Sequence, residues 1–487
     1  MAKNKRQGKP PQPQHSRNST PSRHDKRQRL QTPNSTRRST LVASVPLVGG
    51  LALLTASMSR LLDARIAFRF PIVVAGAMLA TGRRTAANWF RRAGVKDDWD
   101  RFYELLQSIG KNATSMVLPV VAMIVRKFDP GPDGYWKLAV DDSPTKRFGP
   151  RVEAANIHHN PTPGPGDGPW LYGHNWVCLA MLMKHPLFGV IALPLLSRLY
   201  VRKVDVAGLK QRYDWKFRTK HQLALEILQR LMRTLRAFGS RAGFLVVFDG
   251  AYAARELIRP LIAQGAVVVT RLRRDAKLFD LPVSRPGRRG RPCKYGKNRI
   301  SLAKRAGHRD GWQTIQYACR GVMIEGRYKT FLATSHVVGG VVRVVLLEHA
   351  SGNWAAYIST DEAMSVEMIL QTVSDRWAIE EHFHDVKEVW GAGEQQVRNL
   401  WSNIGCWNLS TWLYTLVELQ CWNHSSEQLV DRSDRPWDNP SRRPSHADRR
   451  RQIVREMLRN EFFSDQHPAL DDEIIRERFE RLLSLAA

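Results

Sequence analysis

The chain has 487 residues, enough to bury a large core and to divide into two or three domains. Lysine and arginine outnumber aspartate and glutamate by 75 to 45, a formal net charge of +30 that points to a polyanionic partner, nucleic acid ahead of a membrane surface, and is silent on fold. The cysteines Cys178, Cys293, Cys319, Cys406 and Cys421 show neither a Cys-x-x-Cys pair nor zinc spacing, so they support no disulfide framework and no structural zinc site; a reducing cytoplasm is the expected compartment.

Residues 1–40 mix Pro, Gln, Ser and Asn with many basic residues and have Asp25 as their one acid, a composition that cannot offset its ordering entropy. A disordered basic tail is expected there. Leu41–Ser59 carries no charge, but Pro46, Gly49, Gly50 and the hydroxyl residues suit a packed helix better than a membrane span, and the polar stretch ahead of it argues against a signal peptide. Residues 41–130 read as a helical domain. Within it, Thr81–Gly94 resembles a turn followed by a short basic recognition helix, which makes Arg83 and Arg84 candidates for DNA contact, with an ordinary basic helix as the alternative.

Residues 131–270 alternate in type. Strands are predicted at Trp136–Asp141, Gly173–Lys184, Phe188–Val201, Leu245–Asp249 and Ala266–Leu272, and helices at His221–Phe238 and Ala253–Gln264. Three strands on short connections followed by alternating helix and strand is the order of an RNase H-like domain. Asp142 follows the first run and Asp249 ends the fourth, so both should emerge at strand ends, where sites in open α/β sheets gather.

Residues 271–360 open with a dense run of basic residues among Pro and Gly, including a Pro286–Pro292 segment that resembles a minor-groove arginine hook carrying Arg289 and Arg291. Short β-type runs follow, the last of them Trp354–Ser359. A basic, β-rich insertion between the second and third acidic positions is expected.

The stretch Val373–Trp390 predicts one helix. At about 100° per residue, Arg376, Glu380 and Lys387 share a face, and Ile379, Phe383, Val386 and Trp390 form an apolar stripe beside it. The apolar run Trp401–Cys421 completes a core-closing segment over 361–423. Residues 424–487 then read as a Pro- and Arg-rich linker, over 424–450, followed by amphipathic helices.

Three carboxylates delivered by two strands and a helix suit phosphodiester chemistry, in which two Mg²⁺ roughly 3.5–4 Å apart neutralise the attacking and leaving oxygens, and hard cations take oxygen ligands. With Arg376, three residues, Glu380, six residues and Lys387, together with Asp142-Ser-Pro-Thr and Val246-Val-Phe-Asp249, the chain resembles the DDE transposases of bacterial insertion sequences that carry a Tyr-Arg-Glu-Lys signature. Val373 stands where that signature has its tyrosine.

The resemblance implies an α/β, RNase H-like catalytic domain with a β-rich insertion, preceded by a helical N-terminal domain and followed by helical C-terminal segments. It further implies Asp142, Asp249 and Glu380 as ligands of two Mg²⁺ or Mn²⁺ ions, and Arg376 and Lys387 as the pair gripping DNA at the cleaved end. The activity implied is cut-and-paste transposition by a homodimer assembled on double-stranded DNA, transposon ends and target alike, in the bacterial cytosol or nucleoid and away from membranes. An RNase H-like nuclease without strand transfer, or an inactive DNA-binding derivative, are the alternatives. Asp141 adjoins Asp142 and Glu381 adjoins Glu380; adjacent side chains diverge, so one of each pair can coordinate. His174, His382, His384 and Trp354 are lesser candidates, with structural roles the expectation for His174 and Trp354.

Overall fold

The computed structural model describes residues 47–160, 163–164, 167–283, 293–349, 352–431 and 437–462. The basic tail expected over 1–40, together with Arg289 and Arg291, lies outside them. In chain order come α1 (Gly49–Ser59), α2 (Ala64–Ala67), α3 (Arg69–Leu79), α4 (Ala86–Arg92), α5 (Trp99–Met116) and α6 (Leu118–Lys127). Next are β1 (Tyr135–Lys146), β2 (Asn156–His159), β3 (Trp170–His185), β4 (Gly189–Tyr200), α7 (Val206–Tyr213), α8 (Lys220–Ala237), β5 (Gly243–Phe248), α9 (Arg255–Ile262) and β6 (Ala266–Leu272). Then follow β7 (Leu278–Phe279), β8 (Arg299–Ile300), α10 (Leu302–Gly307), β9 (Gln313–Cys319), β10 (Val322–Ser335), β11 (Gly340–Glu348) and β12 (Trp354–Ser359). The chain closes with α11 (Val366–Asp375), α12 (Ala378–Glu388), α13 (Leu400–Gln420), α14 (Ser426–Leu429) and α15 (His446–Phe462).

The strands form one mixed sheet in the order β2-β3-β1-β5-β6-β12-β11-β10-β7-β8, with β4 pairing β3 and β9 pairing β10. β1, β5 and β6 are mutually parallel, and every other pairing is antiparallel. β5 is a near-continuous apolar run, and β1 carries its buried apolar residues Trp136, Leu138, Ala139 and Val140 in the half that pairs with it, as parallel strands do. The β-rich segment is not a separate layer. β12 pairs antiparallel with β6, so β12, β11 and β10 extend the central sheet past its parallel strands.

Helices cover both faces. α8, started by a capping box between Thr219 and Gln222, turns Leu223, Ile227, Leu228, Leu231 and Leu235 inward. On the other face α13 is buried almost all round, the pattern of a core helix. Its Trp407 lies parallel to Trp176 of β3 with ring centroids 5.0 Å apart. The N-terminal helices join this core through α5. A Cβ on Gly110 would stand 1.9 Å from the Trp401 carbonyl oxygen, and one on Gly405 2.0 Å from that of Leu106, so only glycine lets α5 and α13 approach this closely.

Two expectations change. The single helix over Val373–Trp390 is two, because Ile379 and Glu380 donate to Arg376 and Trp377 three residues back and tighten the chain there; the apolar stripe Ile379, Phe383, Val386 and Trp390 is buried nonetheless. The linker expected over 424–450 ends early, since α15 starts at His446 and buries Ile453 and Met457. Among the described residues no single helix is long and apolar enough to cross a membrane; α5 and α6 carry such length only as a bent pair.

Candidate active site

β1 and β5 run parallel with Val140 opposite Phe248, and the next residue on each strand is an aspartate, Asp141 and Asp249. Side chains alternate along a strand and matched residues of neighbouring strands share a face, so Asp141 and Asp249 point to one side of the sheet and Asp142 to the other. Asp249 keeps extended backbone (φ −74°, ψ 171°) and accepts the Ala251 N–H at 2.7 Å, which fixes the turn after β5.

α12 stands on the Asp141 side. Arg376 donates from Nη1 to Asp141 Oδ2 and from Nη2 to Glu380 Oε1, both at 2.7 Å, so one guanidinium spans a strand carboxylate and a helix carboxylate. Asp142 is held differently. Lys220, the first residue of α8, lies 2.6 Å from its Oδ2, and the Tyr252 hydroxyl donates to its Oδ1 at 2.9 Å. The structure thus brings Asp141, rather than the expected Asp142, to the side where Arg376 and Glu380 stand. Asp141, Asp142, Asp249, Glu380 and Glu381 all border one cavity of about 930 Å³.

The electrostatics follow the burial. Burial pushes the Asp141 carboxyl up to about 7; Arg376 opposes that shift, while Asp142 and Asp249 add to it. Burial also lowers the Lys387 ammonium and raises the Tyr252 phenol well above its usual range. Lys387 borders the same cavity and makes no ion pair among the described residues, whereas Arg376 and Glu380 are paired. Carboxylate oxygens are what a hard divalent cation takes, so Asp141, Asp249 and Glu380 fit one in donor chemistry. Among the described residues no three His, Cys, Asp or Glu side chains are gathered around a single point, and the cation between Asp141 and Glu380 is the Arg376 guanidinium.

The other candidates are dispersed. α4 is a seven-residue helix that buries Ala86, Trp89 and Phe90; the Arg84 N–H donates to Glu394 at 2.8 Å and the Ala86 N–H to the Gln395 carbonyl at 3.1 Å, so the turn docks on the segment after α12. Arg83 is exposed and borders a second cavity beside the acidic one. His174 is buried between the Arg147 guanidinium and the Glu153 carbonyl, and burial pushes its pKa down to about 3. His382 is buried against the Tyr414 ring, and His384 is exposed beside Asp385. Trp354 lies under the Arg274 guanidinium on β12 and is not among the residues that border the acidic cavity.

Several residues at the site carried no sequence signal that singled them out. Lys220 and Tyr252 reach Asp142 through the fold alone. Glu418 and His446 form a buried pair at 2.6 Å on the cavity wall, with Arg449 at 3.3 Å from the same carboxylate. A glutamate inside the apolar run Trp401–Cys421 was the available hint.

A family model described as "DDE superfamily endonuclease" matches residues 58–322, just over half of the chain. It spans Asp141, Asp142 and Asp249 and ends before α12, so Glu380 lies beyond it. Among solved structures, the cryo-EM structure of a piggyBac transposase synaptic complex with hairpin DNA matches at 10% identity and a TM-score of 0.35, covering 93% of this chain and 79% of that one. No curated protein matches.

Proposed function

The chain belongs to the DDE superfamily endonucleases, and from that premise we propose that it is a transposase that binds double-stranded DNA, cuts it at the ends of its element and joins those ends to a target. The observation that carries this reading is the side-by-side emergence of Asp141 and Asp249 on adjacent parallel strands, with Glu380 brought to Asp141 by one guanidinium. The strand order β4-β3-β1-β5-β6, with β3 antiparallel to the other four, fits an RNase H-like core, with β7 to β12 as the β-rich insertion carried by its sheet.

In this reading Asp141, Asp249 and Glu380 hold divalent metal, Mg²⁺ or Mn²⁺, and Asp142 positions the end of β1 through Lys220 and Tyr252. Bound metal supplies a nucleophilic oxygen at neutral pH and neutralises charge on the attacking and leaving oxygens. Arg376 and Lys387 act on the DNA strand from the α12 side, the first as a forked donor to phosphate and the second as a point charge. Arg83, beside the cavity, and Arg289 and Arg291 in the insertion add backbone contacts that position the duplex without reading sequence. The protein works as a homodimer on paired ends, inside a bacterial cytosol or nucleoid.

The test is nicking of supercoiled DNA carrying the element's own ends, with Mg²⁺ and with EDTA, by the wild type and Asp249→Asn. Metal-dependent nicking that the variant lacks supports the reading, and joined products separate a transposase from a nuclease without strand transfer. Nicking by Asp249→Asn at the wild-type rate would overturn it.

A further inference from the structure

Beside the acidic cavity lies a second of about 940 Å³, between the segment after β1 and the loop 391–398. The two share Pro144, Asn160, Lys387 and Glu388, so they form one continuous groove. At its border is Arg147, only 6% exposed. Its Nε donates to His174 Nδ1 at 3.0 Å and its Nη1 to the Gly393 carbonyl, and Nη2 has no partner among the described residues. Both partners are neutral. His174 accepts at Nδ1 and so donates from Nε2 to the Glu153 carbonyl, a tautomer that carries no charge to balance the guanidinium.

A buried charge without an opposite charge is costly, so an anion that reached Arg147 would relieve that cost. Arg147 makes no ion pair among the described residues, and Lys387, half-buried where the two cavities meet, makes none either. Arg151 and Arg398 add positive charge at the border; Lys146 is matched by Asp167, and Glu394 is engaged by the Arg84 N–H. What remains without a partner among the described residues is Nη2 of Arg147, itself buried, and the Lys387 ammonium, both on residues that border the groove. That is the arrangement that grips a phosphate.

We propose that this second cavity is a phosphate-binding subsite for the DNA strand that leaves the acidic cavity, with Arg147 Nη2 and Lys387 as its donors. The subsite rests on the DNA-processing reading above, and it adds Arg147 and the direction in which the strand runs, from Asp141 and Glu380 past Lys387 toward Gly393. His174 becomes a positioning residue: it holds Nε of the guanidinium so that Nη2 is left for the phosphate.

The experiment is duplex binding in EDTA, which reads the groove without chemistry. Fluorescence anisotropy with a duplex of about 30 base pairs, from roughly 50 to 200 mM KCl, compares the wild type with Arg147→Gln, Lys387→Gln and Asp249→Asn. Arg147→Gln and Lys387→Gln should each weaken binding about fivefold or more and flatten the slope of log affinity against log salt by about one phosphate contact. Asp249→Asn removes a negative charge beside the strand and in EDTA should bind no more weakly than the wild type, so a loss is particular to the two basic residues. If Arg147→Gln fails to fold, Lys387→Gln and Arg147→Lys carry the test. Wild-type affinity and slope in the folded arginine and lysine variants would overturn the subsite. So would stabilisation of the wild type by inorganic phosphate, lost in Arg147→Gln, with duplex binding unchanged, since that marks a pocket for free anions. A flattened slope in a protein that never nicks DNA with Mg²⁺ would leave the subsite standing while the transposase reading fails.

Discussion

Arg376 and Asp141, 235 positions apart in the chain, meet at 2.7 Å, and the same guanidinium reaches Glu380. A cation already bridges the two carboxylates that a metal would have to share. Replacing Arg376 with Gln removes that bridge and leaves two acids beside each other near Asp249. In EDTA, Arg376→Gln should unfold at lower temperature than the wild type, and Mg²⁺ should raise its midpoint by more than it raises the wild type's. Thermal unfolding with and without metal measures this; equal responses of the two proteins would show that Arg376 and metal do not act on the same carboxylates.

The face on which each aspartate sits gives the next expectation. Asp141→Asn should abolish metal-dependent nicking, by more than the roughly 10- to 100-fold that loss of an outer partner of a metal ligand costs. Asp142→Asn keeps the hydroxyl contact from Tyr252 and loses only its charge pairing with Lys220, so its loss should fall within that smaller range. Initial nicking rates decide between the two. The opposite ranking would return the ligand role to Asp142.

Asp141 also sets a pH dependence. Its carboxyl lies near 7 in the fold against an ordinary 3.8, so between those values the folded chain holds a proton that the unfolded chain has released. Stability from this group therefore falls as pH rises through that window and is level above it. Asp141→Asn, always neutral, should match the wild type near pH 4 and melt higher near pH 7.5 in EDTA, by about 4 °C for a chain of this size. Calorimetry at the two pH values reads the sign.

Much of the architecture was legible before the structure. β6 and β12 fall on the ranges predicted for them, Ala266–Leu272 and Trp354–Ser359, because apolar runs bounded by turns admit little else. The stripe Ile379, Phe383, Val386 and Trp390 was visible from helical period alone. What the sequence withheld was relational. Asp141 and Asp142 are equivalent as letters, and only the register of β1 against β5 separates their faces. The joining of β12 to β6 is a pairing between distant segments, and the unpaired guanidinium of Arg147 exists only once His174 and Gly393 surround it.

The crossing of α5 and α13 makes the N-terminal helices part of the same cooperative unit as the catalytic sheet. Gly110→Ala would drive a methyl against the Trp401 carbonyl, and relief requires the helices to separate over a buried seam that includes Leu106 and Ile109. The loss should reach about 3 kcal/mol or more, the upper end for overpacking, and a single urea transition should shift as a whole. Two separate transitions would show that the N-terminal helices unfold by themselves.

Glu418 is buried within α13 with His446 Nδ1 at 2.6 Å and Arg449 Nε at 3.3 Å, and His446 Nε2 in turn accepts from the Trp390 indole at 2.8 Å. Burial alone would raise this carboxyl; Arg449 and His446 outweigh it and hold it below its ordinary 4.5. Its stabilisation is thus complete above the ordinary value and is lost as pH falls through the lower folded one. Glu418→Gln leaves Arg449 buried without its anion, which costs about 3–5 kcal/mol when one partner of a buried pair is removed. The deficit against the wild type should be largest at pH 7 and shrink in acid, where Glu418 of the wild type takes up a proton. Because this cluster ties α15 to α13 on the wall of the acidic cavity, Glu418→Gln should also loosen the C-terminal helix, and amide exchange in α15 should speed up ahead of exchange in β1 and β5. Uniform acceleration across all three would mean that the cluster supports the whole fold rather than the docking of α15.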